Sequence, residues 1–320
     1  TYDLELELKD KGYEYIVGLD EVGRGCEKID AEVLTNNGWK YYNKISKDDL
    51  VLSYTNSNTI EWQKIDDIII KNFKGDLLEL YNRSISIKVT PDHYFDVLRR
   101  TFKRDKNDNN KLKMTGYTFR GRKKVSDLQN NDHIPRGGKW LCRDVDFFIL
   151  PSIDKLTNDY SGKNYDMKYI KMDLWLAFMG IFLSEGYTNY NENGAYVVGI
   201  RQIKRDEYNK IKNLLDKLPF DFHENKEKDR LIIYNKQLYS YLKVFGKCYN
   251  KYIPTEIKNL SSRQLNILID WLLLGDGSSY KGKNRQKVSV FYTVSKSLKD
   301  DFEEVLLKAG WTYKTTVREP

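Results

Sequence analysis

Two apolar runs, each closed by a carboxylate and a glycine, lie 91 positions apart. The first is Leu174-Trp175-Leu176-Ala177-Phe178-Met179-Gly180-Ile181-Phe182-Leu183-Ser184-Glu185-Gly186. The second is Ile267-Leu268-Ile269-Asp270-Trp271-Leu272-Leu273-Leu274-Gly275-Asp276-Gly277. A helix that is apolar on all sides has to be buried. The same shift carries Ile211, Leu214, Leu215 and Leu218 onto Phe302, Val305, Leu306 and Ala309, all apolar and on one helical face. Between helix and helix, Val197 maps onto Val288 and Ile203 onto Val294 in strand-like runs. A period kept through helix, strands and helix predicts two copies of one α/β unit. Asp173 and Ser261-x-x-Gln264 are candidate N-terminal caps, and Gly186 suits a left-handed C-cap.

The chemistry of this pattern lies at the helix ends. A carboxylate at a helix C-terminus faces a dipole end that is already negative. Two of them close together repel by something on the order of several kcal/mol at an effective dielectric of about 20. A divalent cation between them reverses the sign, and Mg²⁺, which takes hard oxygen ligands and keeps waters, fits. Such a pair would activate water and stabilise the leaving oxygen of a phosphodiester. The net charge of +8 and a pI near 9.0 permit a polyanionic partner without demanding one.

The paired motifs resemble those of LAGLIDADG homing endonucleases, which commonly sit inside inteins. The resemblance implies helices packed about a pseudo-twofold axis, with Glu185 and Asp276 as the catalytic ligands of Mg²⁺. It implies antiparallel strands forming a saddle over double-stranded DNA, and alternation in Tyr196–Ile203 and Lys287–Val294 suits such strands. On that analogy Arg201, Gln202, Lys204 and Tyr292 contact DNA, and Lys287 assists at the scissile phosphate. Gly180 allows close helix approach, but its counterpart is Trp271. Either the contact lies one turn away or the interface is asymmetric. The second copy is expected to stop early, at Trp311–Pro320.

Upstream, residues 26–139 read as a compact all-β unit. Strand-like runs at Ala31–Thr35, Leu50–Tyr54, Ile65–Ile70, Leu77–Tyr81 and Ile85–Val89 alternate with turns, among them Asn36-Asn37-Gly38. The pattern Cys26…Asn37-Gly38-Trp39…Asp48-Asp49-Leu50-Val51-Leu52-Ser53 resembles the first block of an intein. Val89-Thr90-Pro91-Asp92-His93-Tyr94-Phe95 resembles the intein block that carries Thr-x-x-His, and Val125-Ser126-Asp127-Leu128…Asp132-His133-Ile134-Pro135 fits the same β domain, the Hint fold. The resemblance implies that Cys26 attacks the carbonyl of Gly25, the scissile position, to form a thioester. His93 would donate to the departing amide nitrogen, with Thr90 assisting. Cys142, Cys248, His133 and His223 read as packing or structural residues.

Residues 1–25 differ again. Tyr15–Leu19 is a short apolar run of strand type, followed by Asp20-Glu21 and a glycine-flanked Arg24. Gly18-Leu19-Asp20-Glu21-Val22-Gly23-Arg24-Gly25 closely resembles the opening motif of ribonuclease H type II, in which the Asp-Glu pair holds metal. The family's later carboxylate segments are absent, so this segment alone is expected to be inactive and to be the flank of an interrupted host.

The expected architecture is therefore α+β. It has a host segment (1–25), an incomplete Hint-type splicing domain (26–139), a connector (140–170) and a truncated two-repeat LAGLIDADG endonuclease domain (171–320). No terminal His-Asn pair occurs in Trp311–Pro320, so ligation of the flanks is not expected of this chain. Expected partners are double-stranded DNA and the host-protein flanks in cis, for a monomer with no membrane association. Splicing itself needs no cofactor. Three widely spaced cysteines make neither a disulfide framework nor a zinc pattern, and a reducing cytoplasm is the simplest home. The alternatives are a ribonuclease fragment that cuts RNA–DNA hybrids, a stand-alone endonuclease with an inert N-terminal domain, and a DNA-binding module without cleavage. Arg99–Lys124 is strongly basic; such a run is usually a solvated face, and an extra DNA contact is the other reading.

Overall fold

The computed structural model describes residues 14–18, 27–28, 31–55, 57–81, 86–104, 111–129, 132–153, 165–190, 194–281 and 287–316. The chain divides into two compact units. One is Thr1–Lys139 with Gly310–Pro320, and the other is Trp140–Ala309. Residues 140–170 fall within the second unit, and Gly310–Pro320 group with the first.

In the first unit the described elements are strands and short 3-10 turns. The strands are β1 (Glu14–Gly18), β2 (Glu27–Lys28), β3 (Glu32–Thr35), β4 (Gly38–Tyr41), β5 (Leu50–Tyr54), β6 (Thr59–Lys64), β7 (Ile69–Phe73), β8 (Leu78–Tyr81), β9 (Ser86–Val89), β10 (Tyr94–Arg104) and β11 (Leu112–Lys124). One sheet has the order β7-β1-β2-β9-β8, a second runs β6-β5-β3-β4, and β10 pairs with β11 alone. The run Ile65–Ile70, expected as one strand, divides: β6 ends at Lys64 and β7 starts at Ile69. Ile65 is buried between them.

The Asn36-Asn37 turn is held by a buried acid. Asp49, 2% exposed, accepts from Asn37 Nδ2 at 2.9 Å, Lys40 Nζ at 2.6 Å and Ser46 N at 2.9 Å. These donors, Lys40 first, hold its carboxyl far below the usual range. Thus Asn37 and Asp49, two residues of the intein-like pattern, close the β3–β4 turn onto the start of β5.

The second unit opens with β12 (Phe147–Leu150) paired to β13 (Lys168–Lys171). Then follow α1 (Met172–Glu185), β14 (Gly186–Tyr190), β15 (Tyr196–Arg201), α2 (Arg205–Leu215), β16 (Phe222–Glu224), β17 (Arg230–Tyr234), α3 (Lys236–Leu242) and α4 (Thr255–Lys258). The unit closes with α5 (Ser262–Asp276), β18 (Gly277–Lys281), β19 (Lys287–Phe291) and α6 (Lys296–Lys308). Its sheets are β14-β15-β17-β16 and the β18–β19 pair. Shifting by 91 places β14 on β18 with both ends matched, and sets α1, β15 and α2 on α5, β19 and α6 with matching starts to within one residue.

Helix α1 carries the core. Trp175, Leu176, Phe178, Met179 and Ile181 are fully buried, each stabilising by about 1.5–3 kcal/mol. The N-cap is Lys171 with no side-chain capping bond, not Asp173. Asp173 instead accepts from Arg263 at 2.7 and 2.9 Å, which ties the first turns of α1 and α5. Ser261 does cap α5, accepting from Gln264 N at 3.2 Å. Gly186 and Gly277 are not left-handed caps. Both are extended, at φ −85° and −101°, because each helix runs straight into a strand. Strand β15 also departs from alternation: Val197, Val198 and Ile200 are all buried, and the Tyr187 ring lies against Gly199.

Candidate metal and nucleic-acid site

Helices α1 and α5 approach each other through two glycines. A methyl group at Gly180 would lie 2.7 Å from Trp271 Cβ and 2.9 Å from the Leu268 carbonyl oxygen. One at Gly275 would collide with Ser184 Oγ and lie 3.1 Å from Glu185 Cγ. Each glycine therefore meets the residue 91 positions away, with glycine on one side and a larger residue on the other. The interface is close and asymmetric at once, and no displacement by a turn is needed.

Glu185 is the last residue of α1 and Asp276 the last of α5. The contact at Gly275 brings these ends together, and both carboxylates are half-buried. Burial first, and then the charge of Asp276, push Glu185 above the usual carboxylate range. Burial also raises Asp276, and Lys251 pulls it back. Two hard oxygen donors with their charges disfavoured are a set that a divalent cation would relieve. Among the described residues, no group of three or more His, Cys, Asp or Glu is placed to hold a metal.

Gln202, read from sequence as a DNA contact, is 5% exposed and donates from Nε2 to Glu185 Oε1 at 3.4 Å. Its own Oε1 accepts from Lys204 N at 3.0 Å, which fixes the amide. Arg201 and Lys204 are exposed and act electrostatically on Glu185, pulling its carboxyl down. Arg201 also pairs with Asp229 at 3.2 Å. Tyr292 is 53% exposed, and its backbone N–H donates to the Asp276 carbonyl at 3.2 Å. Lys287 opens β19, and its side chain lies outside the described residues.

One residue of this site was missed in the sequence. Lys251 is 4% exposed, and its Nζ donates to the carbonyls of Phe182 at 2.9 Å and Gly186 at 2.8 Å. It thus adds a second donor to the Phe182 carbonyl, which already accepts from Gly186 N–H, and ties the last turn of α1 to the start of β14. Burial lowers its ammonium to about 8, while Asp276 and Glu185 act to raise it. Its neighbours Tyr252, Ile253 and Pro254 read as a loop, and nothing local separates it from the exposed lysines of this Lys-rich chain.

In the first unit Cys26, Gly25, Asp20, Glu21 and Arg24 all lie outside the described residues. Glu27, directly after Cys26, pairs with Val89, directly before Thr90. Thr90 is 3% and His93 9% exposed, and the His93 backbone N–H closes the turn onto the Thr90 carbonyl at 3.0 Å. His133 pairs its carbonyl with Leu98 N at 2.7 Å, a structural role. Cys142 and Cys248, read as packing residues, are both exposed.

No protein-family model matches the chain. It is 30% identical over 300 residues to the ATP-dependent Clp protease proteolytic subunit of Chlamydomonas moewusii, a match taking in 90% of this chain and 28% of that protein. It is 25% identical over 344 residues to the C-terminal section of the DNA-directed RNA polymerase subunit beta of Stigeoclonium helveticum, covering 94% and 30%. An uncharacterized protein of Methanocaldococcus jannaschii is 31% identical over 189 residues, covering 52% and 21%. The chain thus spans less than a third of the length of each relative. Among solved structures, I-DmoI in complex with DNA and Ca aligns at 16% identity and a TM-score of 0.25, covering 33% of this chain and 59% of that one. I-DmoI with DNA and Mn aligns at 17% identity and 0.24, covering 35% and 71%.

Proposed function

We propose that the second unit is a site-specific DNA endonuclease of the LAGLIDADG homing type, carried within an intein whose splicing body is the first unit. The observation that carries the nuclease reading is the abutting pair Glu185 and Asp276. Burial and like-charge proximity make this arrangement electrostatically unfavourable without a cation, so stability alone does not account for it. The 91-residue correspondence and the contacts of Gly180 and Gly275 with their own counterparts support a pseudo-twofold axis between the carboxylates.

Glu185 and Asp276 would hold the metal. Bound there, Mg²⁺ would supply Lewis acidity toward a phosphodiester and lower the pKa of an attacking water. The chain's own residues prepare the place. Gln202 orients Glu185, and Lys251 anchors the end of α1 and balances part of the negative charge. Exposed Arg201, Lys204 and Tyr292 flank the two carboxylates and are proposed to meet DNA, with Lys287 at the scissile phosphate. The test is Mg²⁺-dependent cutting of duplex DNA at discrete positions, lost in Glu185→Gln and in Asp276→Asn. Salt-sensitive binding without any cutting would favour the binding-module alternative.

The intein reading draws support from the relatives. One segment of about this length matches parts of proteins whose names denote a protease subunit and a polymerase subunit. A segment shared by hosts of unrelated function behaves as an inserted element. The Glu27–Val89 pairing supports the same reading, since it sets the strand leaving Cys26 beside the strand leading to Thr90 and His93. In the proposed step the Cys26 sulfur attacks the Gly25 carbonyl carbon, the C–N bond breaks, and the thiol proton passes to the released amine through His93. Incubation with a strong thiol should release residues 1–25, and Cys26→Ala should abolish the release. Hybrid cleavage that depends on Asp20 would point instead to the ribonuclease alternative.

A further inference from the structure

The β10–β11 hairpin is unusual for what it lacks. A two-stranded ribbon is marginal in water unless a face is covered. Here β11 is exposed from Leu112 to Arg120 apart from Gly116, and β10 from Arg99 to Arg104 apart from Thr101. No third strand joins the pair among the described residues. The cross-strand register sorts the side chains. Arg100 faces Tyr117, Phe102 faces Met114 and Arg104 faces Leu112 on one side. Arg99 faces Thr118 and Lys103 faces Lys113 on the other. Phe102 is 51%, Met114 46% and Tyr117 44% exposed.

Charge is as one-sided as exposure. The only carboxylate on the two strands is Asp96, which pairs with Arg122, and Asp132 takes Arg120 and Lys123. Arg99, Arg100, Lys103, Arg104 and Lys113 have no ion-pair partner among the described residues, so their charges are open to an outside polyanion. Two register shifts, after Val97 and after Thr101, bulge β11 and twist the ribbon. Eleven residues of strand extend about 35 Å, close to one turn of B-DNA, and the major groove admits a two-stranded ribbon.

We propose that this hairpin is a second duplex-DNA contact, in the first unit and separate from the two-carboxylate site. Arg99, Arg100, Lys103, Arg104 and Lys113 neutralise phosphates, while Phe102, Met114 and Tyr117 supply apolar contact in the groove. The inference does not need the nuclease reading, because it concerns binding alone.

The test is affinity for a random-sequence duplex, measured across a salt series in EDTA with the full chain. The variant replaces Arg99, Arg100, Lys103 and Arg104 with Gln. A charge-matched control replaces Lys210, Lys217, Lys226 and Lys243 with Gln, all exposed in the second unit. The hairpin variant should lose about 3 units of salt slope and about tenfold or more in affinity, with its thermal midpoint unchanged. The control should keep its slope, and backbone amides of 94–104 should gain hydrogen-exchange protection on adding DNA. An unchanged slope with no added protection overturns the proposal. So does a hairpin-mediated dimer, lost in Phe102→Ser, whose formation leaves DNA binding unaltered. Binding in EDTA reads the hairpin and Mg²⁺-dependent cutting reads the two carboxylates, so a failed nuclease assay and a failed hairpin assay remain distinct results.

Discussion

The segments 172–217 and 262–308 of the second unit share their apolar positions and differ in what their polar positions do. Ile211, Leu214 and Leu215 are buried on α2, and so are Phe302, Val305 and Leu306 on α6. The polar counterparts diverge. Lys210, Asn213 and Lys217 are exposed, whereas their counterparts Asp301, Glu304 and Lys308 enter a buried network. There Lys258 pairs with Asp301 at 2.7 Å and Glu304 at 2.9 Å, and Lys308 pairs with Glu304 at 2.6 Å. Lys308 also lies over the Trp140 ring at 4.6 Å. A repeated fold thus preserves the face that makes the core, and the neighbours decide the rest.

That difference can be broken by substitution. Glu304→Ala leaves Lys308 a buried charge without its carboxylate and Lys258 with Asp301 alone, and should cost about 3–5 kcal/mol in chemical denaturation. Asn213→Ala, at the matching exposed position, should stay within about 0.5 kcal/mol. Equal effects would show that the two segments are not the mixed pair described. The helix interface should be more even-handed. Gly180→Ala and Gly275→Ala each force a neighbour aside and should each cost about 1–3 kcal/mol. A neutral result at both would mean the helices stand farther apart.

The carboxylates give a smaller effect with a definite sign. Both have folded pKa values above their ordinary ones, so the unfolded chain releases these protons first. Stability should therefore fall as pH rises from the ordinary carboxylate range through the raised folded values. Glu185→Gln should raise the thermal midpoint by a few degrees at neutral pH, and this gain should vanish in acid. Mg²⁺ should stabilise the wild-type chain and not the variant, since it binds only the folded site. Smallest of all is the supporting residue. Gln202→Ala should lower the cutting rate through the pose of Glu185, while Thr293→Ala, 91 positions on, where the hydroxyl accepts from Ser295 N, should change it little.

How much of this was legible depended on periodicity. The helices, the strands after them and the 91-residue shift follow from where Leu, Ile, Val and Phe recur. The end-of-helix carboxylates followed because a charge closing an apolar run is conspicuous. Lys251 was not legible, because its meaning comes from the carbonyls of Phe182 and Gly186, far away in sequence. The burial of Gln202 beside Glu185 escaped for the same reason, and so did the extended conformation of Gly186, which depends on a strand starting there. The division of Ile65–Ile70 was lost because an apolar run does not tell a strand from a buried loop.

The central claim is that Glu185 and Asp276 form one catalytic centre acting on DNA. The most direct measurement is end-sequencing of a randomised duplex library after incubation with the full chain and Mg²⁺, beside Glu185→Gln and Asp276→Asn. The account predicts breaks confined to one sequence class in the wild-type reaction, absent with EDTA and absent in either variant. Breaks of the same sequence class that persist in both variants, or a folded, DNA-bound wild type that leaves the library intact, would contradict it.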